Sequence, residues 1–203
     1  MAHKEQIAFC TQVRRRFPER FLDVRVLDVG SLDVNGNNRY LFEPGRYEYT
    51  GVDLGPGPNV DVVCPIHLYE APAGTFDVVV STEAFEHDRH LPLSLRRMVE
   101  LLRPGGLLLF TCATEGRPEH GTRATSPPDS PFTPEFYRNV TSRDVWAAVD
   151  VDEVFSRYEF SVHAGTHDLR FWGLKREDAP QLEGGGHADR DERQADDEAR
   201  SSG

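Results

Sequence analysis

The sequence predicts an α/β fold, a doubly wound and mostly parallel seven-stranded sheet that ends in an antiparallel edge hairpin. Short apolar runs alternate with helical or loop segments, which is typical of parallel strands joined by crossovers. The run FDVVVST at 76–82 is rich in valine, as expected for a strand that is buried on both faces. The last two apolar runs are separated only by a tight turn at Gly165, and this spacing predicts the hairpin.

The individual elements follow from local patterns. The predicted strands are VRVLDVG (24–30), YEYTGVDL (47–54), NVDVVC (59–64), FDVVVST (76–82), GLLLFTCAT (106–114), FSRYEFSVHAG (155–165) and HDLRFWGLKR (167–176). Helices are predicted at 1–20, near 38–42, at 91–103 and at 134–149. The turn Pro104-Gly105-Gly106 is expected to end the third of these helices, and Trp146 and Trp172 are expected in the core.

Composition limits the classes of function. The chain has 203 residues and a formal net charge of −11, so it suits one domain and does not favour nucleic acid as a partner. We expect a domain over 1–177 and a disordered acidic tail over 178–203. No run reaches the ~18 apolar residues that span a membrane, and the three cysteines form no close pair. These features predict a cytoplasmic protein without membrane attachment, of unknown oligomeric state.

The stretch VLDVGSLDVNG at 26–36 is the first candidate for a binding site. A strand ends at Gly30, where a glycine permits close backbone approach to a ligand. Asp53 ends the next strand about 20 residues later, which is the spacing of an acid that accepts hydrogen bonds from ribose hydroxyls. Taken alone, the pattern is equally compatible with a structural turn followed by an incidental aspartate.

Two further segments extend this pattern. STEAFEH follows the fourth strand, and LLRPGGLLLFT joins a helix to the fifth strand. In this order and spacing, the four segments resemble the class I S-adenosylmethionine-dependent methyltransferases, over about residues 24–113. The resemblance implies a Rossmann-like fold and S-adenosylmethionine as the cofactor. That family usually carries three alternate glycines in the first loop, whereas this chain has Gly30, Leu32 and Val34 there, so an altered turn with Asn35-Gly36 is expected.

The resemblance also implies a set of functional residues. The cofactor-binding candidates are Asp28, Gly30, Ser31, Asn35, Asp53, Leu54, Ile66, His67, Ser81 and Glu83. The candidates for a catalytic base are His87 and His120, although His87 could instead only shape the site. The substrate-binding candidates are Glu86, Arg123, Tyr137 and Arg138, most of them in a substrate or lid segment at 114–140.

Two groups of residues invite a metal interpretation. They are His163, His167 and Asp168 in the hairpin, and Glu86, His87, Asp88 and His90 after the fourth strand. The first group spans a glycine turn, and the second fits a loop of solvated charges. We therefore predict no functional metal from the sequence.

The sequence favours an enzyme that methylates a small molecule or a glycan, with oxygen slightly preferred as the acceptor atom because a histidine base is available. The alternative is an inactive S-adenosylmethionine-binding sensor or partner protein, which the altered glycine loop would suit. A nicotinamide-dependent oxidoreductase is disfavoured, because Leu32 stands where the backbone would have to meet a pyrophosphate.

Overall fold

The computed structural model describes residues 4–43 and 45–178, so the predicted acidic tail lies, apart from Asp178, outside the described residues. The helices are α1 (Lys4–Arg16), α2 (Leu91–Leu101), α3 (Ser142–Ala148) and α4 (Val151–Val154). The strands are β1 (Val24–Val29), β2 (Tyr47–Asp53), β3 (Val62–Val63), β4 (Phe76–Thr82), β5 (Leu102–Ala113), β6 (Phe155–His163) and β7 (Asp168–Lys175). None of the described helices is long and apolar enough to cross a membrane.

The sheet confirms the predicted fold class. Its seven strands lie in the order β3-β2-β1-β4-β5-β7-β6. Strands β1 to β5 pair in parallel, while β7 pairs antiparallel with both β5 and β6. The strand order reverses between β1 and β4, and the carboxyl ends of these strands are where open α/β sheets bind ligands.

Two apolar layers cover the two faces of the sheet. Alternate strand residues divide between them, so that Val26 packs with α1 on one face while Leu27 packs with α2 on the other. The layer with α1 contains Phe9, Val13 and Trp172, which confirms the predicted core position of Trp172. Trp146 was expected in the core as well, but it is 39% exposed.

The helix predicted at 134–149 is wrong in its first half. Only Ser142–Ala148 is helical. Thr141 and Asp144 form a capping box, in which the Thr141 amide donates to the Asp144 carboxylate at 2.8 Å, and this motif fixes the start of the helix. The residues before it make irregular contacts instead. For example, the Asn139 amide donates to the Arg117 carbonyl at 3.1 Å.

The Pro-Gly-Gly turn also differs from its prediction. The helix α2 ends at Leu101, before the turn, and the turn itself belongs to the start of β5. A residue before proline is biased to extended backbone, which explains why the chain is already extended at Arg103. Gly105 adopts a positive φ of 68°, and the pairing with β4 shifts register nearby, between Phe76 and Val78.

Candidate active site

A cavity of about 650 Å³ opens at the carboxyl ends of β1, β2 and β4. Its walls come from the loops that follow the first four strands and from residues 129–136 of the predicted lid segment. The predicted site residues that line it are Asp28, Gly30, Ser31, Asn35, Asp53, Leu54, Ile66, His67, Glu83 and His87. The predicted residues that do not line it are Ser81, Glu86, His120, Arg123, Tyr137 and Arg138.

The turn after β1 is built for close packing. Gly30 has a φ of 74°, and a Cβ atom at this position would lie 2.4 Å from the Cβ atom of Ala84. The amides of Gly30 and Ser31 both donate to the Val52 carbonyl, at 2.9 and 3.2 Å. The first glycine of the loop is therefore required by its packing against the β4 turn. Gly36 takes a positive φ of 130°, as the altered turn predicts.

The Asp28 side chain forms hydrogen bonds with residues of several segments beneath this turn. Its buried carboxylate accepts hydrogen bonds from the Tyr49 hydroxyl and from the Asn38 amide at 3.1 Å. The Asn38 amide also donates to the Thr82 hydroxyl at 3.1 Å. Burial raises the pKa of Asp28 to about 6, against the opposing effect of these hydrogen bonds.

Asp53 lies at the end of β2 and holds the β1 turn in place. Its carboxylate accepts hydrogen bonds from the amides of Leu32, at 2.9 Å, and Leu54, at 2.7 Å. Burial raises its pKa, while the backbone amides act in the opposite direction. The Leu54 side chain beside it is 45% exposed at the cavity wall.

The turn after β4 carries the densest group of ionisable side chains. Glu83 adopts a φ of 54°, and its carboxylate accepts a hydrogen bond from the Thr111 hydroxyl at 2.8 Å. Burial, reinforced by the nearby charge of Glu86, raises the pKa of Glu83 to about 7. Arg117 lies 4.0 Å from the Glu83 carboxylate. Glu83 thus combines a strained backbone, burial and a place on the cavity wall, a combination typical of functional sites.

The two predicted base histidines lie side by side, but only His87 lines the cavity. Their ring centroids are 5.3 Å apart. The Nδ1 atom of His87 lies 3.2 Å from the Phe136 carbonyl oxygen, and burial lowers the pKa of this imidazole. The His120 pKa is raised, because the Glu86 carboxylate outweighs the opposing effect of burial.

The remaining predicted residues have structural partners. The Ser81 hydroxyl donates to the Val29 carbonyl at 2.8 Å, and the Tyr137 hydroxyl donates to the Asn139 side chain at 2.7 Å. Arg123 forms an ion pair with Glu135 at the surface, and Arg138 lies 3.2 Å from the Asp144 carboxylate.

Several residues that form the site were missed by the sequence reasoning. Phe132 lies directly over Gly55, where a Cβ atom would fall 2.2 Å from its ring, and so it helps to close the cavity. His90, which the sequence placed only in a loop of solvated charges, has its ring 4.7 Å from that of His67 at the cavity wall. Arg117 anchors the lid segment through the buried Asp168 at 3.0 Å. Of these three residues, only Phe132 has a partner that the sequence could have indicated. That partner is Gly55, because a glycine after a strand permits close approach of another side chain.

Comparisons with known proteins agree with this geometry. Residues 1–169 match a family model described as a methyltransferase domain. No curated protein gives a significant match.

Solved structures of similar fold include three methyltransferases. The 1,6-didemethyltoxoflavin-N1-methyltransferase of Burkholderia thailandensis, with bound S-adenosylhomocysteine, has 17% identity and a TM-score of 0.59, over 85% of this chain and 79% of that one. Phosphoethanolamine N-methyltransferase 2 of Haemonchus contortus, in complex with S-adenosyl-L-methionine, has 15% identity and a TM-score of 0.61, over 85% of this chain and 52% of that one. The CurJ carbon methyltransferase has 14% identity and a TM-score of 0.56, over 84% of this chain and 54% of that one.

These structural likenesses support the fold, and the family model covers most of the sequence. The chain belongs to the family of methyltransferase domains, and its fold is that of the class I S-adenosylmethionine-dependent methyltransferases.

Proposed function

We propose that the cavity holds S-adenosylmethionine beside the loops after β1, β2 and β3, and that the enzyme transfers the methyl group to a hydroxyl of a small molecule or glycan. The observation that carries the proposal is the position of the cavity at the carboxyl ends of β1 and β4, on the switch point of the sheet. Its volume of about 650 Å³ lies within the ~300–1,000 Å³ typical of small-molecule sites.

The cofactor half of the cavity is defined by Asp53 and the apolar residues around it. Each Asp53 oxygen accepts one backbone amide, and a carboxylate oxygen has a second lone pair that can accept a ribose hydroxyl. Leu54 and Ile66 provide apolar surface for the adenine ring. His67 and Cys64 line the same wall and complete the adenine pocket in this proposal.

The acceptor half lies between the β4 turn and residues 129–136. Methyl transfer needs the acceptor in line with the sulfonium, so a well-shaped pocket supplies much of the catalysis. A hydroxyl acceptor also needs a base. We assign this role to Glu83 in preference to His87, because Glu83 lines the cavity and its pKa of about 7 suits proton removal near neutral pH. Similar folds act on nitrogen and carbon, which need different activation.

Calorimetric titration tests the cofactor half. We expect S-adenosylmethionine and S-adenosylhomocysteine to bind with micromolar affinity and NAD not to bind. Asp53→Asn should weaken binding of the first two by about 10-fold or more, because a charge-assisted hydrogen bond to ribose is worth about 1.5–3 kcal/mol. The matched control is Asp61→Asn, since Asp61 accepts the Gly51 amide at 2.7 Å but does not line the cavity. Equal losses in the two variants would contradict the ribose assignment.

The pH dependence of methyl transfer tests the base. With a panel of hydroxylated acceptors, kcat should rise with pH through about 7 as Glu83 loses its proton. Glu83→Gln should abolish this rise and lower kcat by roughly 100-fold or more. Methylation of amines alone, with kcat unaffected by Glu83→Gln, would refute oxygen as the acceptor atom. Cofactor binding without any transfer would instead favour the sensor or partner alternative.

A further inference from the structure

Three side chains converge behind the acceptor wall of the cavity. Glu86 and His87 follow β4, and His120 comes from the lid segment at 114–140. Each residue offers one ligand atom, and these three atoms lie within 4.8 Å of one another. We call this group the Glu86–His87–His120 cluster.

The Glu86 carboxylate is the unusual member of the cluster. Its side chain is fully buried, and within the described residues neither of its oxygens accepts a hydrogen bond. Among the described residues, its nearest cationic candidate is the Nε2 atom of His120, 3.6 Å away and beyond hydrogen-bond distance. A buried carboxylate without hydrogen bonds is costly unless a cation compensates it. The structure therefore places a buried carboxylate next to two imidazoles.

Both imidazoles are oriented by the backbone. The Nδ1 atom of His87 lies 3.2 Å from the Phe136 carbonyl oxygen, and that of His120 lies 3.2 Å from the Pro118 carbonyl oxygen. A carbonyl oxygen only accepts, so each Nδ1 carries the hydrogen and each neutral ring keeps its lone pair on Nε2. Metal-binding histidines show this same arrangement, in which the second ring nitrogen donates to a carbonyl or carboxylate.

From these contacts we propose that Glu86, His87 and His120 bind one divalent transition-metal ion of the zinc or cobalt type. Two imidazoles and one carboxylate suit these metals, whereas Mg²⁺ prefers a shell of oxygens. Bonds of ~2.0–2.2 Å in tetrahedral geometry place ligand atoms about 3.4 Å apart. The ligand atoms of the cluster lie within 4.8 Å of one another, so side-chain rotations that bring them closer by up to about 1.4 Å would close the cluster on an ion. Three protein ligands leave a fourth position open.

Such an ion would connect two parts of the molecule that the sequence separates. It would join the turn after β4 to the lid segment, and it would lie at the cavity wall because His87 lines the cavity. The sequence predicted no metal, since Glu86, His87, Asp88 and His90 fit a solvated loop. The fold changes this interpretation by adding His120 and by burying Glu86 completely. The proposal does not depend on the methyl acceptor.

The test is a titration of tag-free, EDTA-treated and dialysed protein with Zn²⁺, with Co²⁺ as a spectroscopic probe. We expect the wild type to bind one equivalent of Zn²⁺, and Co²⁺ to give visible bands of a nitrogen- and oxygen-ligated ion. Glu86→Gln and His120→Gln should each weaken Zn²⁺ binding by at least about 100-fold, more than the ~10–100-fold that loss of an outer-shell partner causes. Mg²⁺ at the same concentration should not compete.

The matched control is His163→Gln, because His163 lies in the β6–β7 hairpin outside the cluster and forms a hydrogen bond with the Thr166 side chain. This variant should bind Zn²⁺ as the wild type does. Glu86→Gln keeps the side-chain shape and removes a buried charge, so circular dichroism should show an intact fold without metal. Zn²⁺ should raise the Tm of the wild type and of His163→Gln, but not of the two cluster variants.

Two results would overturn the proposal. One is the absence of stoichiometric Zn²⁺ binding to the wild type, which would leave Glu86 paired with a protonated His120. The other is undiminished binding in Glu86→Gln and His120→Gln, which would place the ion at other histidines.

Discussion

At the scale of single residues, Gly30 shows how packing determines which residue the turn after β1 can carry. The sequence marked this glycine as a point of close approach to a ligand. In the structure, the close approach is between two turns of the protein, since Ala84 occupies the space that a Cβ atom would need. The glycine therefore serves the cavity by bringing the β1 and β4 turns together.

Gly30→Ala is expected to destabilise the protein by about 2–5 kcal/mol. A left-handed backbone costs about 1–2 kcal/mol for an L-residue, and forcing extra volume into a packed site adds about 1–3 kcal/mol. Urea unfolding measures the difference. The control is Gly165→Ala in the exposed hairpin turn, where the nearest atom would lie 3.3 Å away and the cost should stay below about 1 kcal/mol. Equal stability of Gly30→Ala and wild type would contradict this account of the loop.

The position of a residue at the cavity can be predicted where it depends on the fold class alone. Gly30, Asp53 and Glu83 end or follow strands, and the carboxyl ends of parallel strands converge on one edge, so their meeting at the cavity follows from the fold class. His120 and Arg117 could not be placed in this way. They lie in an irregular segment, whose path depends on contacts with residues that are distant in the sequence.

At the scale of elements, the lid segment 114–140 is held by arginines of very different burial. The Arg117 side chain is only 20% exposed and lies 3.0 Å from the fully buried carboxylate of Asp168 at the start of β7. It also donates to the Thr166 carbonyl at 2.6 Å. The Arg123 side chain is 74% exposed and pairs with Glu135 at the surface. Only the first arginine fixes the segment to the sheet.

Arg117→Met should therefore destabilise the protein by about 3 kcal/mol, since loss of one partner from a buried ion pair typically costs about 3–5 kcal/mol and this pair is slightly exposed. Arg123→Met is the matched change in the same segment and should cost less than about 1 kcal/mol. Urea unfolding of both variants, together with limited proteolysis of the lid segment, distinguishes them. Similar losses in both would show that burial of the pair does not determine its contribution.

The secondary structure of this same segment was predicted less well from the sequence than that of the strands and of α2. Strands rich in valine and the amphipathic helix α2 were recognisable because each has a regular apolar period. The helix expected from residue 134 fails because the Thr141–Asp144 capping box starts the helix at Ser142. The irregular stretch before it turns towards Arg117 through Tyr137 and Asn139, and such side-chain contacts carry no period in the sequence.

At the scale of the whole molecule, buried carboxylates around the cavity link stability to pH. Burial raises the pKa of Asp28 from 3.8 to about 6 and that of Glu83 from 4.5 to about 7. The folded state therefore holds protons that the unfolded state releases between about pH 4 and pH 7. Stability from these two groups is fully present below their unfolded pKa values and is lost as the pH rises through the folded values. Asp77 acts in the opposite sense, because hydrogen bonds from Arg25 and Arg103 outweigh its burial and lower its pKa.

The variant Asp28→Asn isolates one of these contributions. The free energy of unfolding of the wild type minus that of Asp28→Asn should fall as the pH rises from 4 to 7, by up to about 3 kcal/mol for a shift of about two pKa units. Urea unfolding at pH 4, 5, 6 and 7 measures this difference. The free energy of unfolding of the wild type minus that of Asp77→Asn should not fall over this range. The folded state lowers the pKa of Asp77, and the stability that this gives is lost only as the pH falls. A flat difference for Asp28→Asn would mean that the hydrogen bonds from Tyr49 and Asn38 fully compensate burial, and that the pKa of the carboxylate beneath the β1 turn is the same in the folded and unfolded states.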